Sequence, residues 1–127
     1  MNFYSRKLIK PENLNARNTL FGGALLRWID EEAGIYAMTK LDSKNVVTKY
    51  MSEINFVNSA EQGDVIEIGL GFNRIGRTSI SFSCEVRNIF NKKTIIKIDN
   101  IVFVLVDEDG RPIPHGKTDA NLNLSKP

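Results

Sequence analysis

Apolar residues along this chain change period once, and the change divides it into two parts. From Gly22 to about Lys40 the period is helical, with Leu26, Ile29, Ala33, Tyr36 and Ala37 recurring at spacings of three and four. This predicts one buried stripe on a helix roughly 30 Å long, at 1.5 Å per residue. Arg27, Glu31 and Lys40 fall largely outside the stripe. Beyond the loop at Asp42-Ser-Lys-Asn45 nearly everything reads as strand. Val46–Val57 is the first long candidate. Val65–Phe72 alternates, with Ile66, Ile68, Leu70 and Phe72 on one face. Arg77–Arg87 alternates again, setting Ile80, Phe82, Cys84 and Val86 against Ser79, Ser81, Ser83 and Glu85. Thr94–Val106 changes phase near Asn100, the mark of a bulge or twist. Turns are expected at Gly63-Asp64, Ile75-Gly76, Asn91-Lys92 and Asp109-Gly110.

Ahead of the helix, residues 3–9 read as a short strand, and Glu12 to Leu20 as an Asn-rich loop after Pro11. A short strand, one long helix and four long strands make an α+β plan, an antiparallel sheet wrapped around the helix. One helix cannot cover both faces of such a sheet, so the other face or an edge should meet a second subunit. The segment from about Arg111, with Pro112, Pro114 and Pro127, reads as a loosely ordered tail.

Composition narrows the class. The 127 residues, 42% hydrophobic and 25% charged, suit a single soluble domain over 1–127. A net charge of +2 with dispersed basic residues gives no case for nucleic acid. Cys84 is the single cysteine, so no intrachain disulfide can form. No apolar run approaches the ~18 residues that span a bilayer, and the N-terminus has no signal-peptide core, so a cytoplasmic location is the default. One histidine and one cysteine give no support to a metal site or a Cys–His dyad. His115, in Pro-Ile-Pro-His-Gly, reads as an exposed residue of the tail.

The candidate chemistry gathers at the helix start. Gly22-Gly23 places two flexible residues where backbone N–H groups are unpaired and the helix dipole is positive. The pair serves either tight packing or an N–H aimed at a carbonyl oxygen, a donor typically worth about 3–4 kcal/mol in a transition state. Asp30 lies at the edge of the apolar stripe among small residues. It is either a solvated carboxylate of the Asp30-Glu31-Glu32 run or a general base. Asn15 alone reads as an Asx residue of the loop, and Asn18 suits a positive φ. Arg74-Ile-Gly76-Arg77-Thr78-Ser79 is either a charged hairpin tip or a phosphate cradle of guanidinium forks and hydroxyls.

These residues in this order resemble the hotdog-fold acyl-CoA thioesterases, in particular the bacterial acyl-CoA hydrolases related to the brain acyl-CoA hydrolase. The family pattern Pro-x-Asp-x-Asn-x-x-Gly-x-x-(Phe/His)-Gly-Gly, followed by an acidic residue, stands here as Pro11-Glu-Asn13-Leu-Asn15-Ala-Arg-Asn18-Thr-Leu-Phe21-Gly22-Gly23 and then Asp30. The similarity continues through Val46-Val47-Thr48, Gly63-Asp64, Gly76-Arg77-Thr78-Ser79 and Val106-Asp-Glu-Asp-Gly110-Arg-Pro-Ile-Pro114. The family's loop glycine is Asn18 here and its loop aspartate is Asn13.

The resemblance implies a five- or six-stranded sheet around the helix, dimers joined edge to edge, and commonly a hexamer of three dimers. It implies hydrolysis of acyl-CoA to a free acid and CoA without a cofactor, CoA being part of the substrate. By position, Asp30 is the general base or nucleophile, and Asn15 of the other protomer positions water or thioester. Gly23 N–H, with Gly22, faces the thioester oxygen, and Arg74 and Gly76 to Ser79 meet the CoA phosphates. A non-catalytic acyl-CoA-binding regulator on the same fold is the alternative. A hotdog dehydratase would want a core histidine, and His115 is badly placed for that.

Overall fold

The computed structural model describes residues 1–119 and 122. Strand β1 (Asn2–Leu8) leads through a short turn of 3₁₀ helix at Pro11–Asn13 and a loop into helix α1 (Gly22–Leu41). Then follow β2 (Val46–Met51), β3 (Ile54–Phe56), β4 (Val65–Ile75), β5 (Ser79–Asn88) and β6 (Thr94–Leu105). They form one antiparallel sheet in the order β1-β4-β5-β6-β2, with β3 also paired to β6. This is the expected α+β plan of a sheet around one helix.

The alternating residues of β4 and β5 face inward as their pattern requires. Ile66, Ile68, Leu70, Ile80, Phe82, Cys84 and Val86 are all buried. The helix lays Leu25, Ile29, Ala33, Tyr36 and Ala37 against them. Leu25, rather than Leu26, is the fully buried leucine, while Leu26 packs at the margin. Lys40 also departs from expectation. It is buried in the last turn with its ammonium 5.0 Å from the centre of the Tyr36 ring, and burial lowers its pKa. Its aliphatic stem continues the apolar stripe while the charge rests on the ring face. An aromatic row, Tyr4–Tyr36–Phe82–Phe103, runs through the core with centroids 5.3, 4.7 and 6.2 Å apart.

The sheet bends at bulges. The phase change near Asn100 is one of them: Phe82 pairs Ile101 but Cys84 pairs Ile98, so β6 carries an extra residue at Asp99–Asn100. The same bulge splits the expected strand 46–57 in two. β2 pairs with residues 101–105 and β3 with 96–98. Ser52, between them, donates its N–H to the Asn100 carbonyl and accepts the Asn100 N–H on Oγ. Asn73, the extra residue of β4 between Phe72 and Arg74, donates to the Asp99 carbonyl and to Asn100 Oδ1. Two bulges are thereby tied across β5.

The segment expected to be loose from Arg111 is bonded to the sheet and its β4–β5 turn as far as His115. Val106 bridges Pro112, Ile113 N–H donates to the Leu105 carbonyl, and His115 N–H to the Arg77 carbonyl. Ile113 packs on the core, which the prolines around it did not signal. Pro127 lies outside the described residues.

β1 is held to β4 by more than its ladder. Glu67 is buried on the outer sheet face, where its Oε1 accepts from Arg87 Nε at 2.5 Å, with Arg6 and Lys92 each 3.8 Å away. Arg87 also lies 3.8 Å over the Phe3 ring. The Arg87 hydrogen bond outweighs burial and holds the Glu67 pKa below its ordinary value. A depressed pKa contributes stability above the unfolded value, near 4.3 for glutamate, and that stability is lost as pH falls through the folded value. Glu67→Gln should therefore lower Tm at neutral pH by roughly 4 °C or more. The gap from wild type should close in acid, and thermal melts that keep the same gap from neutral to acidic pH would contradict the charge-based account.

Candidate active site

Asp30 stands at mid-helix on the side turned to β2, with its carboxylate exposed. Its Oδ1 accepts the Thr48 hydroxyl at 2.6 Å. Glu31 and Glu32 behave differently: Glu31 pairs with Arg27 one turn back at 3.1 Å, and Glu32 with Lys7 at 3.9 Å. Among the described residues Asp30 has no cation within ion-pair distance. Of three consecutive acids, two are compensated by charge and one is only oriented by a hydroxyl. Thr48 faces the helix by ordinary alternation, opposite the buried Phe103, and the strand bulges just after it. Thr48 pairs Phe103 and Tyr50 pairs Val102, so Lys49 is the extra residue. Thr48 and Met51 then both face the helix side, as their partners Phe103 and Ile101 do, and Tyr50 turns away.

At the start of α1, Leu25 N–H is the first to bond back, to the Phe21 carbonyl, and no side chain caps the helix. The N–H groups of Gly22 and Gly23 thus lack intrahelical partners. Two rings stand over the glycines. A Cβ on Gly23 would lie 2.7 Å from Phe21 Cε2, and one on Gly22 would lie 3.2 Å from Phe56 Cζ.

Asn15 folds its own loop. Its Oδ1 accepts from Arg17 N–H, Thr19 N–H and the Thr19 hydroxyl, and its Nδ2 donates to Thr19 Oγ1 at 3.0 Å. Nδ2 keeps a second hydrogen. Asn18, at φ 62°, takes the left-handed conformation its loop requires. Asn15 and Gly22 line one cleft of about 320 Å³ with Phe56 and Asn58. Neither Asn15 nor the glycine pair touches Asp30 of the same chain.

The turn after β4 closes with Gly76 N–H donating to the Ser79 carbonyl at 2.9 Å. Arg74 and Arg77 are exposed and form no ion pair with a described residue. Register places this turn near Asp30. Ile80 pairs Phe103, which pairs Thr48, so the start of β5 lies two strand spacings from Thr48, about 10 Å.

Thr48 was not among the expected site residues. A threonine within a β-branched run is ordinary strand composition, and only its pairing reveals its partner. Phe56 likewise reads as strand filler until the split of β2 from β3 sets it over Gly22. Cys84 is buried, and burial, with Glu85 beside it, pushes its thiol up to about 12, so it is no nucleophile. No cluster of metal-ligating side chains is found among the described residues.

The Thioesterase superfamily model matches residues 17–94, more than half of the chain and the whole span from the Asn15 loop's end to β6, and the chain belongs to that family. An acyl-CoA thioester hydrolase of Zymomonas mobilis, itself uncharacterized, is 32% identical over 110 residues, which are 84% of this chain and 73% of that protein. A hexameric acyl-CoA thioesterase, solved in its apo form, superposes with a TM-score of 0.76 at 32% identity, covering 87% of this chain and 72% of that one. The acyl-CoA hydrolase of Staphylococcus aureus, solved with butyryl-CoA, CoA and CoA disulfide, gives a TM-score of 0.76 at 27% identity over 87% of this chain and 68% of that one.

Gly23→Ala separates packing from chemistry. The three atoms nearest such a Cβ all belong to the ring of Phe21, an exposed side chain that can rotate away, while alanine is the better helix former. The variant should melt within about 3 °C of wild type in a calorimetric scan. A large loss of stability would mean that the glycine is there for packing.

Proposed function

We propose that this protein hydrolyses acyl-CoA thioesters to a free carboxylic acid and CoA, at a site that two protomers share. The observation that carries the reading is Asp30: an exposed carboxylate, oriented by Thr48 and left without a cation, on a helix whose start presents uncapped glycine N–H groups. Asp30 takes a proton from water, and the water oxygen bonds to the thioester carbon. Gly23 N–H, with Gly22, stabilises the oxyanion as it forms. The carbonyl re-forms as the C–S bond breaks, and the departing CoA sulfur takes the proton held by Asp30, which returns to its carboxylate form. Asp30 attacking directly, through an anhydride that water then opens, uses the same geometry. Apart from water and the substrate, every group in either scheme belongs to the chain, and neither calls for a resident cofactor.

Helix geometry supports the sharing. Seven residues separate Gly23 from Asp30, about 10 Å along one helix at 1.5 Å per residue. One carbonyl cannot touch both. The donors for a given thioester, with Asn15 from the loop just before them, therefore come from the protomer opposite the one supplying Asp30. β2 is suited to join them: it ends the sheet order, and Val47 and Tyr50 leave about half of their surface exposed. We infer a dimer as the minimal unit and, from the hexameric relative, a trimer of such dimers.

Arg74 and the turn Gly76–Ser79 hold the CoA phosphates, the guanidinium groups as forks and the hydroxyls as donors. The single free thiol, Cys84, suits a reducing compartment, and we place the protein in the cytoplasm.

Asp30→Ala should abolish release of free thiol from acyl-CoA while leaving the oligomer unchanged by light scattering. Substantial residual turnover, or acyl-CoA binding by wild type with no thiol release, would overturn the assignment. Sharing has its own test. Asp30→Ala and Asn15→Ala chains are each inactive alone but, co-assembled, should recover about a quarter of wild-type activity, because mixed dimers carry one intact site. No recovery on mixing would place both residues of each site on one chain.

A further inference from the structure

We propose that His115 is a positioning residue for the phosphate-binding turn, holding Arg77–Ser79 in the conformation that takes the CoA phosphates; this rests on the acyl-CoA reading above. Three consecutive carbonyls of that turn are each engaged by a donor. His115 N–H donates to the Arg77 carbonyl at 3.2 Å, and Leu105 N–H to the Thr78 carbonyl at 2.9 Å. The Ser79 carbonyl is shared by Gly76 N–H at 2.9 Å and the His115 ring at 3.0 Å. His115 thus meets the turn twice, through its backbone N–H at Arg77 and through its ring as the second donor on the Ser79 carbonyl, and only the ring contact depends on the side chain.

The ring's tautomer is determined by its other partner. Lys117 N–H, which can only donate, lies 2.9 Å from Nδ1. Nδ1 therefore carries the lone pair, and Nε2 carries the hydrogen that donates to the Ser79 carbonyl. The neutral imidazole is a strut between the backbone of residue 117 and the backbone of the turn. The strut is itself anchored, since Ile113 N–H bonds to the Leu105 carbonyl and its side chain packs on the core. The contact also has an electrostatic sense. A carbonyl has two lone pairs, and one left unpaired beside a phosphate would repel it; the ring occupies the lone pair of the Ser79 carbonyl that Gly76 N–H leaves free.

The test compares three variants on two substrates, butyryl-CoA and butyryl-pantetheine, which carries the same thioester but none of the CoA phosphates. H115A should raise KM for butyryl-CoA about tenfold and change kcat little. For butyryl-pantetheine it should change neither constant. H115Q can place an amide N–H near the position of Nε2 and should restore most of the butyryl-CoA KM. H115N can replace only the Nδ1 acceptor and should behave like H115A. Equal KM values for wild type and H115A on butyryl-CoA, or the same rise on both substrates, would overturn the proposal. Failure of wild type to hydrolyse either substrate would instead overturn the acyl-CoA reading on which it rests. Should H115A melt much earlier than wild type, CoA binding to H115Q by calorimetry decides alone: wild-type affinity supports the strut, and affinity reduced about tenfold refutes it.

Discussion

A sheet that must bury a single helix has to curl around it, and in this protein the curling is done by bulges. Every ladder except the short β3/β6 pairing carries at least one register shift. Each extra residue increases the local twist and re-aims the strand. With them, β4, β5 and β6 turn Ile68, Phe82 and Phe103 onto the helix, whose stripe from Leu25 to Leu41 is buried. The link from Asn73 to Asp99 and Asn100 joins two of these bends, so the curvature is held by hydrogen bonds as well as by packing.

The same constraint bears on the candidate site. Thr48 meets Asp30 by regular pairing with Phe103, and the bulge at Lys49 turns Tyr50, two residues on, to the other side, toward the exposed face beside the site. The bulge in β6 separates its pairing with β2 from its pairing with β3, and Phe56 of β3 lies over Gly22 at the helix start. Curvature needed for the core thus also shapes the surroundings of the site, turning Tyr50 outward and setting a ring beside the glycine N–H groups.

Much of the fold was legible because it rests on periodicity. The helix bounds follow from the glycine pair and the apolar stripe, the inward faces of β4 and β5 from strict alternation, and the β6 bulge from its change of phase. What periodicity could not show depends on partners distant in sequence. Ser52-Glu53 contains no breaker, and its strand break is imposed by Asn100 on another strand. Asp30 is indistinguishable by pattern from Glu31 and Glu32, and only Arg27, Lys7 and Thr48 tell them apart. Lys40 looked like a surface cation because charge hides an apolar stem long enough to lie across Tyr36. His115 looked like tail because the prolines around it read as disorder, although a rigid extended segment can also lie against a sheet and bond to it.

Exposure of Asp30 has a physical consequence for the proposed function. In open water a backbone N–H adds little to an oxyanion that is already solvated, and a carboxylate gains little by being aimed. Both become effective where water is excluded and the dipoles are fixed. In one protomer, Asp30, the Gly22-Gly23 N–H groups, Val47 and Tyr50 are all at least partly open to solvent. An unpaired β2 edge with apolar side chains is also a liability for association. A partner placed against that edge removes both problems at once: it covers the strand, and it brings an opposing helix start to a carboxylate that its own helix start, two turns away, cannot reach. On this reading catalysis depends on the dimer because a single straight helix cannot supply both ends of the chemistry.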